Sequence, residues 1–179
     1  MLGYNDVGQL GNGSTTESHV PAQVQGLTTG VQAIAGGYYH ACALVNGGVQ
    51  CWGSNGSGQL GDGSTTESHV PVQVQGLTSG VQAIAAVGYH TCALVNGGIQ
   101  CWGSNGLGQL GDGSTTDRHA PTQVLGLTSG VTTIAPGMNH TCAWVNGGVQ
   151  CWGYNANGQL GNDSTNDSPT PVAVSTWAP

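Results

Sequence analysis

Basic residues are almost absent from this chain of 179 residues, which contains one arginine, Arg118, and no lysine. Its formal net charge is −7. Proteins that bind nucleic acid gain much of their affinity from Lys and Arg that neutralise phosphates, and anionic membrane surfaces attract the same side chains. The composition therefore argues against a nucleic-acid partner and against attachment to an anionic membrane.

Long apolar runs are also lacking, as is phenylalanine. No run approaches the roughly 20 apolar residues that cross a bilayer as a helix. Met1 is not followed by a basic segment and an apolar segment, so the sequence shows no signal peptide. We therefore expect no membrane insertion.

What the chain does contain is a repeat with a period of fifty residues. The segment 31–74 recurs at 81–124 and at 131–174 without insertion or deletion. A period of this size is typical of a stacked or circular array of one supersecondary unit. We interpret residues 1–179 as a single repeat domain that consists of a partial unit and three complete units, the last with a C-terminal tail: 1–30, 31–80, 81–130 and 131–179.

Each complete unit is predicted to contain four antiparallel strands. In the first one, a short β-branched strand at 31–35 precedes a hairpin whose strands, 40–45 and 48–52, flank Asn46-Gly47. Asn-Gly between two apolar runs favours a type I′ turn, in which both central residues have positive φ. The fourth strand, 70–74, has a proline near its start, which is tolerated only at a sheet edge. Both faces of the hairpin carry apolar groups, so we expect each sheet to be covered on both sides.

Four antiparallel strands per unit, with the proline-marked strand outermost, predict an all-β protein built from the four-stranded antiparallel blades of a β-propeller. A β-solenoid is the competing interpretation, although its coils are usually shorter and lack a type I′ hairpin in every repeat. The long connection after the hairpin contains Gly58-Gln-Leu-Gly61, and we expect Leu60 to plug into the sheet.

The six cysteines stand at equivalent positions of the three hairpins. A two-residue turn fixes the register and places Cys42 opposite Cys51 in a non-hydrogen-bonded pair, where Cα and Cβ atoms are closest. Buried free thiols in a cytosolic protein are one alternative. A zinc site is another, but it needs four ligands and His40 with these cysteines offers three. We predict three disulfides and an extracellular or cell-surface location: Cys42–Cys51, Cys92–Cys101 and Cys142–Cys151.

The second complete unit contains linked motifs in a fixed order: Gly80-Val81, Ile84-Ala85, His90–Leu94, Cys101–Asn105, Gly108–Gly111 and Pro121–Val124. Together they resemble the regulator of chromosome condensation repeat family, in its bacterial-type Cys-Trp-Gly form. The resemblance implies a seven-bladed propeller with about fifty residues per blade. This chain would supply three complete blades and a partial N-terminal blade with an outer strand at 21–24. We expect either a fragment of a longer chain or a half ring that self-associates as a homo-oligomer.

Three sets of side chains recur once per unit. The tryptophan of the Cys-Trp-Gly motif is interpreted as packing between blades: Trp52, Trp102 and Trp152. The histidine that begins the second strand is interpreted as structural, its imidazole bridging backbone groups: His40, His90 and His140. The histidine of the long connection is interpreted as solvated, with metal binding as the alternative: His19, His69 and His119. No catalytic, cofactor-binding or metal residue is predicted, no cofactor is expected, and the protein is not expected to be an enzyme.

The positions that differ between the copies fall on loops, where variation costs little stability and can tune recognition. They include the bend Gly36–Tyr39 and its counterparts. Our leading hypothesis is a non-enzymatic propeller module that binds another protein through one face of the ring and self-associates to close the ring. The possible partner contacts are Tyr4, Leu107, Tyr154 and Trp177.

Two alternatives stay open. One is a carbohydrate-binding propeller that uses Trp with Asn, Gln or Asp side chains in one shallow site per blade, so that a glycan or another small ligand binds. The other is an engineered or truncated repeat fragment without activity of its own. The family's guanine-nucleotide exchange activity depends on a wedge that breaks the repeat, and its light sensors use tryptophans where this chain has Tyr38, Gly88 and Met138. Both of those roles are disfavoured.

Overall fold

Each complete repeat folds as one four-stranded antiparallel sheet in the computed structural model, which describes residues 1–175. The strand order within each sheet follows the chain, with the first strand at one edge and the fourth at the other. The three sheets confirm the predicted all-β propeller architecture, and we call them the first, second and third blade. No helix in this described part is long and apolar enough to cross a membrane.

The twelve strands have closely matching bounds in the three blades. The first blade contains β1 (Val31–Gly36), β2 (His40–Val45), β3 (Gly48–Gly53) and β4 (Ser68–Gln73). The second contains β5 (Val81–Val87), β6 (His90–Val95), β7 (Gly98–Gly103) and β8 (Arg118–Gln123). The third contains β9 (Val131–Pro136), β10 (His140–Val145), β11 (Gly148–Gly153) and β12 (Ser168–Ala173).

The Asn-Gly turn fixes the central hairpin as predicted. Asn46 has φ 51° and Gly47 has φ 80°, so both central residues adopt the left-handed conformation that a type I′ turn requires. The resulting ladder pairs Cys42 with Cys51 and Leu44 with Val49. The two cysteine Cα atoms are 4.0 Å apart and their sulfurs are bonded, and the second and third hairpins contain the equivalent disulfides.

The outer strand begins earlier than the sequence predicted. β4 starts at Ser68 rather than at residue 70, so Pro71 lies inside the strand and not at its start. The β3–β4 ladder shifts register between Cys51 and Gly53. This irregularity, together with the position of β4 at the sheet edge, allows a residue without an N–H to lie in the strand.

The predicted outer strand of the N-terminal piece does not form. Residues 21–24 are not assigned to a strand, although residues 1–30 are all described. A single bridge joins Gly3 to Ser18, and Ala22 exchanges backbone hydrogen bonds with Met1. The physical reason is that these few contacts, which join residues 1–3 to residues 18–22, are too short a ladder to define a strand.

The core lies between the blades. One face of the first blade, which we call the cysteine face, buries Cys42, Leu44 and Val49 against Ala93 and Trp102 of the second blade. The opposite faces in all three blades carry alanine and tryptophan, and we call them the alanine faces. Leu60 is fully buried in the same interface, as predicted. Because both of its faces are apolar, the second blade is stabilised by a neighbouring blade on either side.

The same tryptophan–glycine contact joins each pair of neighbouring units, and we call it the blade joint. The Trp102 indole Nε1 donates to the Gln59 carbonyl oxygen at 3.0 Å. Gly61, with φ +69°, lies under the same indole so closely that a Cβ there would be 2.6 Å from Nε1. The equivalent indole bonds from the first and third blades to Gln9 and Gln109 are also 3.0 Å. The repeated tryptophans therefore pack between units, as predicted.

The outward faces of the two terminal blades are less covered. Trp144 on the cysteine face of the third blade is 41% exposed, whereas the equivalent Leu44 is 4% exposed. On the alanine face of the first blade, Val31 is 38% exposed, whereas the equivalent Val81 is 7% exposed. The N-terminal piece covers only part of that first face, through Val24 and Leu27.

Candidate functional site

The loops that connect the first and second strands, and the third and fourth strands, emerge at the same end of each blade because the strands are antiparallel. The two sets of loops contact each other there, since Ser54 N donates to Tyr39 O at 2.8 Å and Ser104 N donates to Tyr89 O at 2.9 Å. We call this side the loop end. The bend and long-loop positions that differ between the repeats lie at this loop end.

Four exposed tyrosines contact one another at the loop end and form what we call the tyrosine patch: Tyr4, Tyr38, Tyr39 and Tyr89. The ring centroids of Tyr38 and Tyr89 are 5.6 Å apart in an edge-to-face arrangement, and Tyr4 lies 6.1 Å from Tyr39. The side chains are between 41% and 53% exposed. Because they come from the N-terminal piece and the first two blades, the patch crosses two blade joints.

The backbone below the patch is held in place across the joint. Tyr38 N donates to the carbonyl oxygen of Gly88 at 3.0 Å, so the bends of two neighbouring blades are tied together. Gly88 has φ +58°, and a Cβ there would lie 2.7 Å from the Met138 carbonyl oxygen of the third blade. Close approach of the bends is what brings tyrosines of different blades into contact.

Buried asparagines stabilise the long loops next to the patch. Asn5 lies between Tyr4 and Asp6 in the chain and is fully buried. Its Nδ2 donates to the carbonyl oxygens of Ser14 and Thr16, both at 2.9 Å, and its Oδ1 accepts from Leu10 N. The equivalent asparagines of the three blades make the same bonds. The loop that presents Tyr4 is therefore preorganised.

The electrostatic character of the patch is acidic. The Tyr4 hydroxyl donates to the Asp6 carboxylate at 2.8 Å, and this bond raises the pKa of Tyr4. Arg118, the single Lys or Arg of the sequence, lies in the outer strand of the second blade and pairs with Asp112 at 2.6 Å. The patch thus offers ring faces, hydroxyl groups and one carboxylate, without a basic side chain among its members.

The four residues predicted as partner contacts lie in different parts of the chain, and their contact with a partner stays a prediction. Tyr4 lies in the tyrosine patch. Leu107 and Tyr154 are half-buried in the long loops of the second and third blades, outside the ring pairs of the patch. Trp177 lies outside the described residues. The sequence marked the bend that contains Tyr38 and Tyr39 as variable, but its pattern could not show that rings from separate units meet.

The histidines at the start of the second strands do not bridge backbone groups, so that prediction was wrong. His40 Nε2 pairs with the Thr91 hydroxyl of the next blade at 2.9 Å, and this hydroxyl donates to the Gln59 carbonyl oxygen at 3.2 Å. His90 makes the same bond with Thr141. Since the threonine proton goes to the carbonyl, the imidazole Nε2 carries the proton in the His–Thr bond.

Burial keeps these two imidazoles neutral. The pKa of His40 and the pKa of His90 are both lowered to about 4, mainly by burial and secondarily by the charge of the next histidine in the row. Their Nδ1 atoms have no hydrogen-bond partner. The threonine hydroxyl beside each imidazole is fully buried, so this pair cannot meet a substrate as a base and nucleophile would.

Two of the loop histidines of the described chain lie in separate pairs. His69 lies 3.1 Å from Glu67 in an exposed pair, and His19 lies 3.4 Å from Glu17. Within residues 1–175, no three His, Cys, Asp or Glu side chains converge as metal ligands. Trp52, the first of the repeated tryptophans, is fully buried like the other two. These three indoles are inaccessible, so a sugar site in each blade would have to use other side chains.

The chain matches the model of the regulator of chromosome condensation (RCC1) repeat at residues 1–44, 46–94, 96–144 and 146–177. A second model with the same description matches residues 31–59 and 81–109. Among curated proteins, none matches the chain.

Solved propellers are similar to the chain over nearly all of its length. Human WBSCR16 superposes with a TM-score of 0.84 at 26% identity, over 98% of this chain and 48% of that one. Yeast RCC1 (Prp20) bound to Kap60 gives 0.80 at 21% identity, over 98% and 44%. Prp20p of Saccharomyces cerevisiae, described with its binding to Gsp1p and histones, gives 0.77 at 21% identity, over 94% and 44%. The chain thus spans less than half the length of these solved chains.

Proposed function

Because the chain belongs to the regulator of chromosome condensation (RCC1) repeat family, we propose that it is a non-enzymatic propeller module that binds another protein through its loop end. The tyrosine patch is the observation that carries this proposal. Tyrosine is enriched at protein interfaces, where its large ring buries area and its hydroxyl keeps a polar partner. Four half-exposed tyrosines in mutual contact offer such a surface on a preorganised scaffold.

Protein binding by a chain of this fold has a precedent among the solved structures. The yeast neighbour was solved in a complex with the protein Kap60. At 21% identity the likeness concerns architecture alone, so its partners are not transferred to this chain. The irregular, variable loop positions are where members of one fold differ in what they bind.

Selection of peptides from a random display library tests the proposal. We expect enriched peptides to bind the wild-type chain at least about tenfold more tightly than the double variant Tyr38→Ser/Tyr89→Ser, since hot-spot truncations cost more than ~1 kcal/mol each. Leu125→Ser is the control, because Leu125 is exposed and lies outside the patch. Equal binding by the double variant would overturn the proposal, and so would sugar-specific binding on a glycan array that requires the same tyrosines.

The proposal includes self-association through the uncovered faces of the terminal blades. Inside the chain, the same faces are covered by a neighbouring blade, and the exposure of Trp144 and Val31 contrasts with their buried counterparts. Exposed apolar faces of this kind favour association. Native mass spectrometry should find oligomers of the wild-type chain and monomers of Trp144→Glu. A wild-type monomer at every concentration tested would contradict self-association and leave the role of the tyrosine patch untouched.

The proposed location is outside the cell or at its surface. It is supported by the three disulfides and by the lack of a free cysteine in the described part of the chain. Titration of thiols in the unfolded protein, isolated from its own host under conditions that block exchange, should find none. Six reactive thiols would refute the proposed location.

A further inference from the structure

We infer that the tyrosine patch recognises a cationic segment of its protein partner, a stretch of chain that presents arginine or lysine side chains. This inference rests on the proposed function and specifies the chemistry of the partner at the same site. Three properties of the chain support it: its overall charge, the geometry of the rings and the carboxylate at the edge of the patch.

The charge of the chain favours a cation. Eight acidic residues oppose one arginine, and that arginine is already paired with Asp112. The N-terminal ammonium, which is the cation nearest to Tyr4 in the sequence, is bonded to the Ala22 carbonyl oxygen at 2.6 Å. A positively charged segment is therefore attracted over long distances.

The ring arrangement provides the local contact. The Tyr38 and Tyr89 rings meet edge to face at an interplanar angle of 87°, so at least one ring face remains directed away from the pair. Each of these two residues is at least 41% exposed. A guanidinium or ammonium over the negative face of an aromatic ring is attracted by the ring quadrupole, and arginine also stacks on it.

A carboxylate lies at the edge of the patch. Asp6 Oδ2 accepts from the Tyr4 hydroxyl at 2.8 Å, and its side chain is free to accept a further donor because that bond uses one of about four lone-pair positions. A guanidinium that stacks on the rings next to Tyr4 can reach such a carboxylate with its remaining N–H groups. Aromatic faces with an adjacent carboxylate match arginine better than they match a neutral apolar segment.

Fluorescence anisotropy with a labelled peptide tests the inference. The probe contains three arginines spaced by glycine and serine, and the comparison peptide has citrulline at the same places, which keeps the shape and removes the charge. We expect the arginine peptide to bind, the citrulline peptide to bind at least about tenfold more weakly, and binding to weaken as salt rises.

Variants of the full chain separate the patch from general attraction to an acidic protein. Tyr38→Leu/Tyr89→Leu should lose about tenfold in affinity for the arginine peptide, whereas Tyr38→Phe/Tyr89→Phe, which keeps both rings, should bind like the wild type. Leu125→Ala is the control, because Leu125 is exposed and lies outside the patch, and it should bind like the wild type. Equal affinity for arginine and citrulline peptides, or full binding by the leucine variant, would overturn the inference.

The outcome also distinguishes this inference from the proposed function. If peptides selected from the display library need the tyrosines but contain no excess of arginine or lysine, then the patch binds protein and the cationic partner is wrong. If selected peptides ignore the tyrosines, then both are wrong.

Discussion

Acid should destabilise this protein between pH 6.5 and pH 4, because two buried imidazoles stay unprotonated in the folded chain over that range. The folded chain holds the pKa of His40 and the pKa of His90 at about 4, whereas an unfolded chain has a histidine pKa near 6.5. Well above pH 6.5 both groups are neutral in both states. As the pH falls through 6.5, the unfolded chain binds protons that the folded chain does not, so the free energy of unfolding decreases until the pH reaches about 4.

The magnitude follows from the difference between the two pKa values. A difference of about 2.5 units corresponds to roughly 3 kcal/mol per histidine over the whole range, of which about 2 kcal/mol is lost by pH 5. The two histidines together should therefore remove about 4 kcal/mol between pH 7 and pH 5. That is a large part of the ~5–15 kcal/mol by which domains are usually stable.

Urea unfolding followed by tryptophan fluorescence at pH 7 and pH 5 measures this loss. His90→Gln removes one titrating group and should reduce the loss by about 2 kcal/mol, whatever its stability at pH 7. His119→Gln is the matched control, because His119 is exposed, and should keep the wild-type pH dependence. If His90→Gln lost as much stability as the wild type on acidification, the buried neutral imidazole would not be the cause.

Three further changes test the blade joint, the long loops and the disulfides by their effect on the urea midpoint. Gly61→Ala should cost about 2–4 kcal/mol through its positive φ and its contact with the indole, whereas Gly56→Ala, which has open space, should change little. Asn105→Ala should cost about 3 kcal/mol because it leaves the bonded backbone groups of its loop without a partner. Cys92→Ala/Cys101→Ala should lower the free energy of unfolding by about 2–3 kcal/mol, and an unchanged urea midpoint would show that this disulfide does not stabilise the fold.

The hairpins were predictable because their determinants are local. A two-residue Asn-Gly turn allows one register, so the pairing of Cys42 with Cys51 follows from counting outward from Asn46. The alternation of side chains along a strand then places apolar groups on both faces. Apolar groups on both faces predict a core between neighbouring sheets, even when the orientation of the blades is unknown.

The contacts between blades were not predictable in the same way. His40 finds its partner 51 residues further along the chain, and no sequence pattern gives the rotation between sheets that brings Thr91 within reach. The meeting of Tyr38 with Tyr89 depends on the same rotation and on the depth of two bends. The predicted start of β4 was wrong for a local reason. The β3–β4 ladder shifts register near Pro71, and the alternation of apolar and polar residues does not show such a shift.

The similarity of the blade joints has a consequence for how the number of repeats in such a gene can change. Joining residue 80 directly to residue 131 would bring His40 to Thr141 and the Trp152 indole to the Gln59 carbonyl, which reproduces the lost contacts with groups of the same kind. Unequal recombination that removes or adds the fifty codons of the second blade in phase therefore keeps the indole and His–Thr contacts at the new joint. Lineages can shorten or lengthen the array in whole steps without first evolving a new interface.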